Sequence, residues 1–393
     1  MNAMTRKYLI LLVVLVSLGS VSGCWDSREI NDNFVVVAIG WDAAAKRHLM
    51  FTEQIAEMPP QAGKQKGAKT ARSSPTFVTV SRDGRSLTEG PRNVHLRQPR
   101  SPLWQHAYCY LLGEDLCRQG LSGAVDYFLR NRNIRKTGYL FVARNSTAAQ
   151  VLQVPTEVEK LPGPALVSMI KNQDLHIGIY TPTDMGDFLT KTITPGIEPA
   201  VPGVEIVNEN GKKALRLSGM AVFKEGRLVG WLNEEESRGY RWLRPTPLAG
   251  GTKIIKCPFC GKPVLLDTTR SQCRIKPRIQ DGRIVITIDI KEEGNFYEQT
   301  CSHQLLTPKT FPQLEQQAAQ LIARQVRAAV NKAQALDSDI FGFGQAVFES
   351  FPKEWASLES KWAQVFPTLE VEIHVKSEIR RSYLTTETLQ YHF

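Results

Sequence analysis

The chain has 393 residues, of which 42% are hydrophobic and 22% are charged, and its formal net charge is +10. This composition is typical of a folded globular protein and excludes wholesale disorder and fibrous repeats. The length predicts two or three domains. Because the excess basic residues are spread along the chain and form no long block, the charge does not indicate nucleic acid as a partner.

The first 24 residues have the pattern of an exported lipoprotein. Two basic residues precede a continuous apolar run, residues 8–18, which is too short for a comfortable transmembrane helix. The sequence Val21-Ser22-Gly23-Cys24 then fits a bacterial lipobox, in which small residues precede the cysteine that carries the lipid. We therefore expect residues 1–23 to be a lipoprotein signal peptide and Cys24 to be the lipid attachment site. An uncleaved anchor and a plain secretory signal are the alternatives.

Lipid on Cys24 would hold the rest of the chain at a membrane. Removal of residues 1–23 takes away two basic residues and leaves a net charge of +8, which favours anionic lipid head groups. One acyl chain binds a membrane only marginally, so stable anchoring requires two or more chains, such as palmitate, on this cysteine. No second apolar stretch of about 18 residues follows in the sequence.

Residues 34–143 alternate between short strand and helix patterns, which predicts α/β or α+β packing. The segment 59–75 is rich in lysine, glycine and proline and is expected to form an exposed mobile loop, with a lipid or partner contact as the alternative. The predicted strands are 34–39, 49–55, 76–80, 108–112 and 139–143, and the predicted helices are 86–94 and 121–129.

The middle of the chain predicts a mixed region between a boundary at 155–164 and a linker at 245–251. Asn208-Glu209-Asn210-Gly211 is a strong hairpin signal between two apolar segments. The predicted helices are 165–173, 182–190 and 234–243, and the predicted strands are 196–207, 214–223 and 228–231.

The last third has the clearest periodicity. Isoleucines at 284, 286, 288 and 290 alternate with other residues, as in a strand with one apolar face. Thr310 and Gln313 have the spacing of a capping box before a long helix, 311–335, whose apolar stripe contains Leu314, Leu321 and Val330. The segment 369–375 alternates again and predicts a final strand.

These patterns predict an α+β protein with two or three mixed domains. The C-terminal domain should be a largely antiparallel sheet covered by one long helix. The predicted divisions are a signal peptide at 1–23, an N-terminal α/β domain at 24–155, a middle α+β domain at 156–245 and a C-terminal domain at 252–393.

The sequence contains no motif of a known catalytic or nucleotide-binding site, so we predict no catalytic residues and no enzymatic activity. Phe341-Gly342-Phe343-Gly344 follows a helix and not a strand, and is therefore interpreted as a flexible connector. No ligand-binding residues can be assigned from the pattern.

Six cysteines remain besides Cys24. Cys257-Pro-Phe-Cys260-Gly has the form of a zinc knuckle, and Cys273 and Cys301, or His303, are available to complete four ligands. A disulfide, which an exported protein can keep, and free thiols are the alternatives. A structural zinc ion is the single cofactor that the sequence suggests. Two further cysteines, Cys109 and Cys117, are expected to be buried small residues, with a disulfide bridge between them as the alternative.

The residues after the lipobox resemble a known family. Gly23-Cys24-Trp25-Asp26-Ser27-Arg28-Glu29-Ile30-Asn31-Asp32 is similar to the start of mature Ger(x)C spore-germination lipoproteins, the C subunits of nutrient germinant receptors. The segments 37–42, 97–106, 111–114 and 130–135 also resemble that family, so the likeness covers essentially the whole chain. The Cys257/Cys260 knuckle has no counterpart in the family pattern.

The resemblance implies a lipid-anchored subunit on the outer face of the inner spore membrane, a cytoplasmic-type membrane of a spore-forming bacterium. It also implies two integral-membrane partners, an A-type and a B-type germinant receptor subunit, with which this chain would act in sensing nutrients. A solute-binding lipoprotein of a transport system is the alternative, and the antiparallel character of 197–231 and 284–376 argues against its two α/β lobes. The family contributes no catalytic residues.

Overall fold

The computed structural model describes residues 4–8, 32–45, 48–56, 77–244, 246 and 248–382. Most of the predicted signal peptide, the lipid attachment site Cys24 and the predicted loop 59–75 lie outside the described residues.

The first large sheet contains nine strands and extends over residues 33–232. At its centre β1, β5, β6 and β7 are parallel neighbours, with short β4 also parallel to β1, while β2 and β3 on one side and β8 and β9 on the other pair antiparallel. The strands are β1 (Asn33–Ala43), β2 (Leu49–Ala56), β3 (Phe77–Gly84), β4 (Ser101–Leu103), β5 (Cys109–Gly113), β6 (Tyr139–Ala143), β7 (Ala200–Glu209), β8 (Lys212–Lys224) and β9 (Arg227–Leu232).

Helices cover both faces of this sheet, which explains why its central strands are almost continuously apolar. In β5, Cys109 and Leu111 face one core while Tyr110 and Leu112 face the other. The helices in this part of the chain are α1 (Glu89–Val94), α2 (Glu114–Gln119), α3 (Ser122–Arg130), α4 (Ala148–Val151), α5 (Pro162–His176), α6 (Met185–Ile193) and α7 (Glu234–Trp242).

A second sheet of four strands and a long helix form the C-terminal region. β10 (Thr252–Lys256), β11 (Pro263–Gln280) and β12 (Arg283–Gln299) pair antiparallel, and β13 (Glu370–Ser382) pairs parallel with β12. The predicted α+β class and the helix-covered, mainly antiparallel C-terminal sheet are therefore confirmed. The helices of this region are α8 (Phe311–Ala335), α9 (Phe343–Ser350), α10 (Pro352–Leu358) and α11 (Trp362–Val365).

One hydrophobic core joins the two sheets. Ile286 and Ile288 on β12 and Val330 on α8 belong to the same buried cluster as Phe141 on β6. α7 packs closely against α8, because a Cβ atom on Gly239 would lie only 2.0 Å from the carbonyl oxygen of Gln325. The C-terminal region thus shares its interior with one face of the first sheet.

The first sheet contains strands from both sides of the domain boundary that the sequence predicts at 155–164. β6 precedes that position and pairs directly with β7, which follows it. The division of this region into domains at 24–155 and 156–245 stays a prediction.

The hairpin predicted at 208–211 is present between β7 and β8. Asn210 and Gly211 both have positive φ angles, 52° and 79°, as a two-residue turn of this type requires. Asparagine and glycine tolerate this backbone conformation better than other residues, so the hairpin could be predicted from these two residues.

The capping box predicted before α8 is wrong. The helix does begin at Phe311, but the Thr310 side chain makes no capping hydrogen bond to the helix backbone. Its hydroxyl instead lies 2.5 Å from the hydroxyl of Thr307 in the preceding turn. Thr310 therefore bonds to the side chain of Thr307 in place of the two reciprocal hydrogen bonds of a capping box.

The flexible connector predicted at 341–344 is also wrong, because this segment is buried. The carboxylate of Asp339 accepts hydrogen bonds from the backbone N–H groups of Gly342, Phe343 and Gly344, at 2.8–3.1 Å. It also accepts one from the indole N–H of Trp362 at 3.0 Å. A single buried carboxylate thus fixes the turn that begins α9.

Candidate metal centre

Four side chains converge at one end of the C-terminal sheet. The potential ligand atoms of Cys257, Cys260, Cys301 and His303 all lie within 4.8 Å of one another. Cys257 is buried, Cys301 is half-buried, and Cys260 and His303 are exposed. The cluster therefore lies at the protein surface with one ligand embedded in the interior.

The strand order explains how residues far apart in sequence meet. Cys257 and Cys260 lie in the turn between β10 and β11. The last paired residues before this turn are Lys256 on β10 and Pro263 on β11. β11 begins opposite the end of β12, where Val264 pairs with Gln299. Cys301 and His303 lie two and four residues after Gln299, so both pairs of ligands lie at the same end of the sheet.

The first pair of ligands lies in a tight knuckle. The backbone N–H of Cys257 donates to the Lys262 carbonyl at 2.8 Å, and Gly261, with φ of 71°, permits the turn. Desolvation acts to raise the pKa of Cys257, but hydrogen bonds from the backbone N–H groups of Phe259 and Cys260 to its sulfur, with contributions from the other thiols, lower it overall. Such N–H···S bonds favour the thiolate, which is the form that binds metal.

The second pair of ligands is held by one amide side chain. Nε2 of Gln299 donates to the carbonyl oxygen of Cys301 at 2.6 Å and to that of His303 at 2.7 Å. The ring of Phe259 stacks on the imidazole of His303, with centroids 5.2 Å apart. Gln299 and Phe259 therefore set the position of the second arm and the orientation of its imidazole.

These four ligand atoms suit a soft cation in tetrahedral coordination. Three cysteines and one histidine form a recognised structural zinc set. Zn–S bonds of about 2.3 Å in a tetrahedron place sulfurs about 3.8 Å apart, so ligand atoms within 4.8 Å need only small shifts to enclose the ion. Three thiolates this close would repel one another, and a cation among them offsets that repulsion.

Cys273, one of the sequence candidates, does not join the cluster. It lies within β11 opposite Ile290, roughly 30 Å along the strand from Pro263 at about 3.3 Å per residue. Burial raises the pKa of its thiol to about 12. The spacing in the sequence does not show whether Cys273 or His303 is the fourth ligand. The strand register does, because it places Cys273 far from the other three.

The remaining cysteines of the described ranges behave as expected from the sequence. Cys109 and Cys117 are fully buried, and burial raises the pKa of both thiols. None of the six cysteines in the described part of the chain forms a disulfide. The supporting residue Gln299 was missed, since a glutamine two residues before a cysteine carries no recognisable signal.

The sequence models of two protein-family domains match consecutive parts of the chain. "Spore germination protein N-terminal domain" matches residues 26–206, and "Spore germination B3/ GerAC like, C-terminal" matches residues 218–383. The chain is 25% identical to spore germination protein KC of Bacillus subtilis (strain 168), over 99% of both chains. It is 23% identical to spore germination protein B3 of the same organism, over 95% of this chain and 96% of that protein.

A solved structure shows the same fold. The crystal structure of the GerBC protein aligns with a TM-score of 0.56 and 19% sequence identity, covering 87% of this chain and 96% of that one. The family matches, the full-length relatives and this fold agree with the resemblance carried by the residues after the lipobox. The chain is a member of the Ger(x)C family of spore germination proteins.

Proposed function

We propose that the protein is a lipid-anchored, non-catalytic subunit of a spore nutrient germinant receptor. The observation that carries this proposal is the match to spore germination proteins KC and B3 over nearly the whole of each chain. In this function the folded body contacts two integral-membrane receptor subunits, of A and B type, at the inner spore membrane. Its contribution to signalling is interaction and not chemistry.

The lipobox supports the anchoring part of the proposal. Cys24 directly follows Val21-Ser22-Gly23, as lipoprotein processing requires. Among the helices of the described ranges, none is both long and apolar enough to cross a bilayer. Acyl chains on Cys24, helped by the net charge of +8 that remains after residue 23, would hold the protein to an anionic membrane.

The packing favours a receptor subunit over a solute-binding lipoprotein. A solute-binding protein has two lobes that close around a cleft. Here one buried cluster contains Phe141 and Val204 from the first sheet together with Ile286 and Ile322 from the C-terminal region. Two regions that share a core in this way cannot open and close as independent lobes.

Replacement of Cys24 tests the anchor. We expect Cys24→Ala to abolish incorporation of labelled fatty acid and to release the protein from the membrane fraction of spores, because the acyl chains are its attachment. Nutrient-triggered germination should fall with it. The matched control is Ser22→Ala, which keeps a small residue in the lipobox and should keep both lipid and germination. Equal fatty-acid labelling in Cys24→Ala would contradict the proposed anchor.

A further inference from the structure

We infer that Cys257, Cys260, Cys301 and His303 bind one zinc ion, which joins the β10–β11 turn to the connection between β12 and α8. The geometry described above carries this inference: four suitable ligand atoms lie within 4.8 Å of one another and come from two separate segments. The site is independent of the proposed receptor function, because it depends on no partner and no nutrient.

The identity of the ion follows from the donors. Thiolate sulfur and imidazole nitrogen favour zinc over calcium or magnesium, which take oxygen ligands. Tetrahedral coordination by three sulfurs and one nitrogen is characteristic of structural zinc sites. The knuckle supplies two sulfurs from one turn, and the second arm supplies a sulfur and a nitrogen separated by one residue.

The role of the ion follows from the number of donors. Four protein ligands fill a tetrahedral coordination shell, so no position remains for a substrate or an activated water molecule. A catalytic zinc site keeps one such position open. The ion in this cluster is therefore a crosslink.

The crosslink fixes the connection between β12 and α8 to the end of the sheet. Residues 300–310, all of which the structure describes, contain neither helix nor strand, and they lead directly into α8. Beneath the cluster lies a small separate core to which Cys257 itself belongs, and Cys301 packs against it. A small core gains more from a metal crosslink than a large one does. The core consists of Ile255, Cys257, Val264, Leu266, Phe296, Leu305, Leu314, Ala318 and Ile379.

Metal content of the purified protein tests the inference. The full chain is extracted from membranes in detergent, exposed to zinc chloride, freed of excess metal and analysed for bound elements. We expect one zinc per chain. Cobalt(II) in place of zinc should give the visible absorption of a tetrahedral ion and ultraviolet charge-transfer bands that correspond to three thiolates.

Five variants distinguish the four ligands from the residues around them. Cys301→Ser and His303→Ala should lose zinc to a competing chelator at concentrations at least tenfold lower than the unsubstituted chain does. His303→Cys replaces the imidazole with a fourth thiolate and should retain the ion. Gln299→Ala removes the support of the second arm and should weaken binding about 10-fold. Cys273→Ser, the matched control, should bind zinc normally because that residue lies outside the cluster.

The cobalt spectrum of the unsubstituted chain keeps the inference testable even if a variant fails to fold. Zinc content far below one per chain, with the thiols free or with Cys257 and Cys260 joined in a disulfide by mass mapping, would overturn the inference. Retention of zinc by Cys301→Ser and His303→Ala at the level of the unsubstituted chain would overturn it as well.

Discussion

Replacement of Lys253 by methionine is expected to lower the free energy of unfolding by about 3–5 kcal/mol. Lys253 on β10 and Glu292 on β12 are 3% and 0% exposed, and their Nζ and Oε1 atoms lie 2.6 Å apart. Methionine fills a similar volume but leaves the Glu292 carboxylate buried without its cation. Urea denaturation of the purified chain, followed by tryptophan fluorescence, measures the loss.

The surroundings of this pair explain the size of the effect. Nζ of Lys253 also donates to the Thr268 hydroxyl at 2.8 Å, and the Ser377 hydroxyl donates to Glu292 at 2.6 Å. Burial lowers the pKa of Lys253 more than the attraction of Glu292 raises it, so the charged pair is costly to desolvate. Removal of one partner leaves that cost without the compensating attraction.

Two controls distinguish a buried pair from an exposed one. The double variant Lys253→Met/Glu292→Leu should be more stable than Lys253→Met alone, because no unpaired charge remains. On the same sheet, Lys276 and Asp289 form an ion pair of 2.8 Å whose side chains are 56% and 33% exposed. Lys276→Met should change stability by about 1 kcal/mol or less. A loss equally small in Lys253→Met would contradict the role assigned to this pair as a buried, mutually dependent ion pair.

The second large effect is expected on the buried face of α8. Ile322 is fully buried in the core that joins the C-terminal region to the first sheet. Ile322→Asp places a carboxylate there without a partner and should lower the free energy of unfolding by about 4 kcal/mol or more. The same urea denaturation measures it.

Gln320 provides the matched control, since it lies on the same helix and is exposed. Gln320→Asp should change stability by about 0.5 kcal/mol or less. Leu321, which the sequence placed in the apolar stripe, is half-buried against the smaller core below the metal cluster, so Leu321→Asp should have an intermediate effect. Equal losses in Ile322→Asp and Gln320→Asp would show that the packing of α8 has been assigned wrongly.

Features that depend on neighbours in sequence could be predicted well. The helix 311–335 and the hairpin at Asn210-Gly211 follow from periodicity and from the backbone preferences of single residues. The alternation of Ile286, Ile288 and Ile290 correctly indicated a buried strand face. Val285, which alternates with these isoleucines, is also buried, so the strand is not exposed on its other face at this position.

Features that depend on strand pairing could not be predicted in this way. The choice of His303 over Cys273 as a fourth ligand follows from the register of β11 with β12, which no local pattern encodes. The order of the segment 341–344 depends on hydrogen bonds donated to Asp339, including one from Trp362, which lies well beyond the turn in sequence. The parallel pairing of β13 with β12 also needs a long crossover, which includes α8.

The most direct test of the proposed receptor function is purification of the lipidated chain from spore membranes under conditions that preserve complexes, followed by identification of its partners. The proposal predicts that two integral-membrane germinant receptor subunits, one of A type and one of B type, co-purify with the chain in comparable amounts. Spores carrying Cys24→Ala should yield much less of this complex. Recovery of the lipidated chain alone, or together with the permease of a solute transporter, would contradict the proposal.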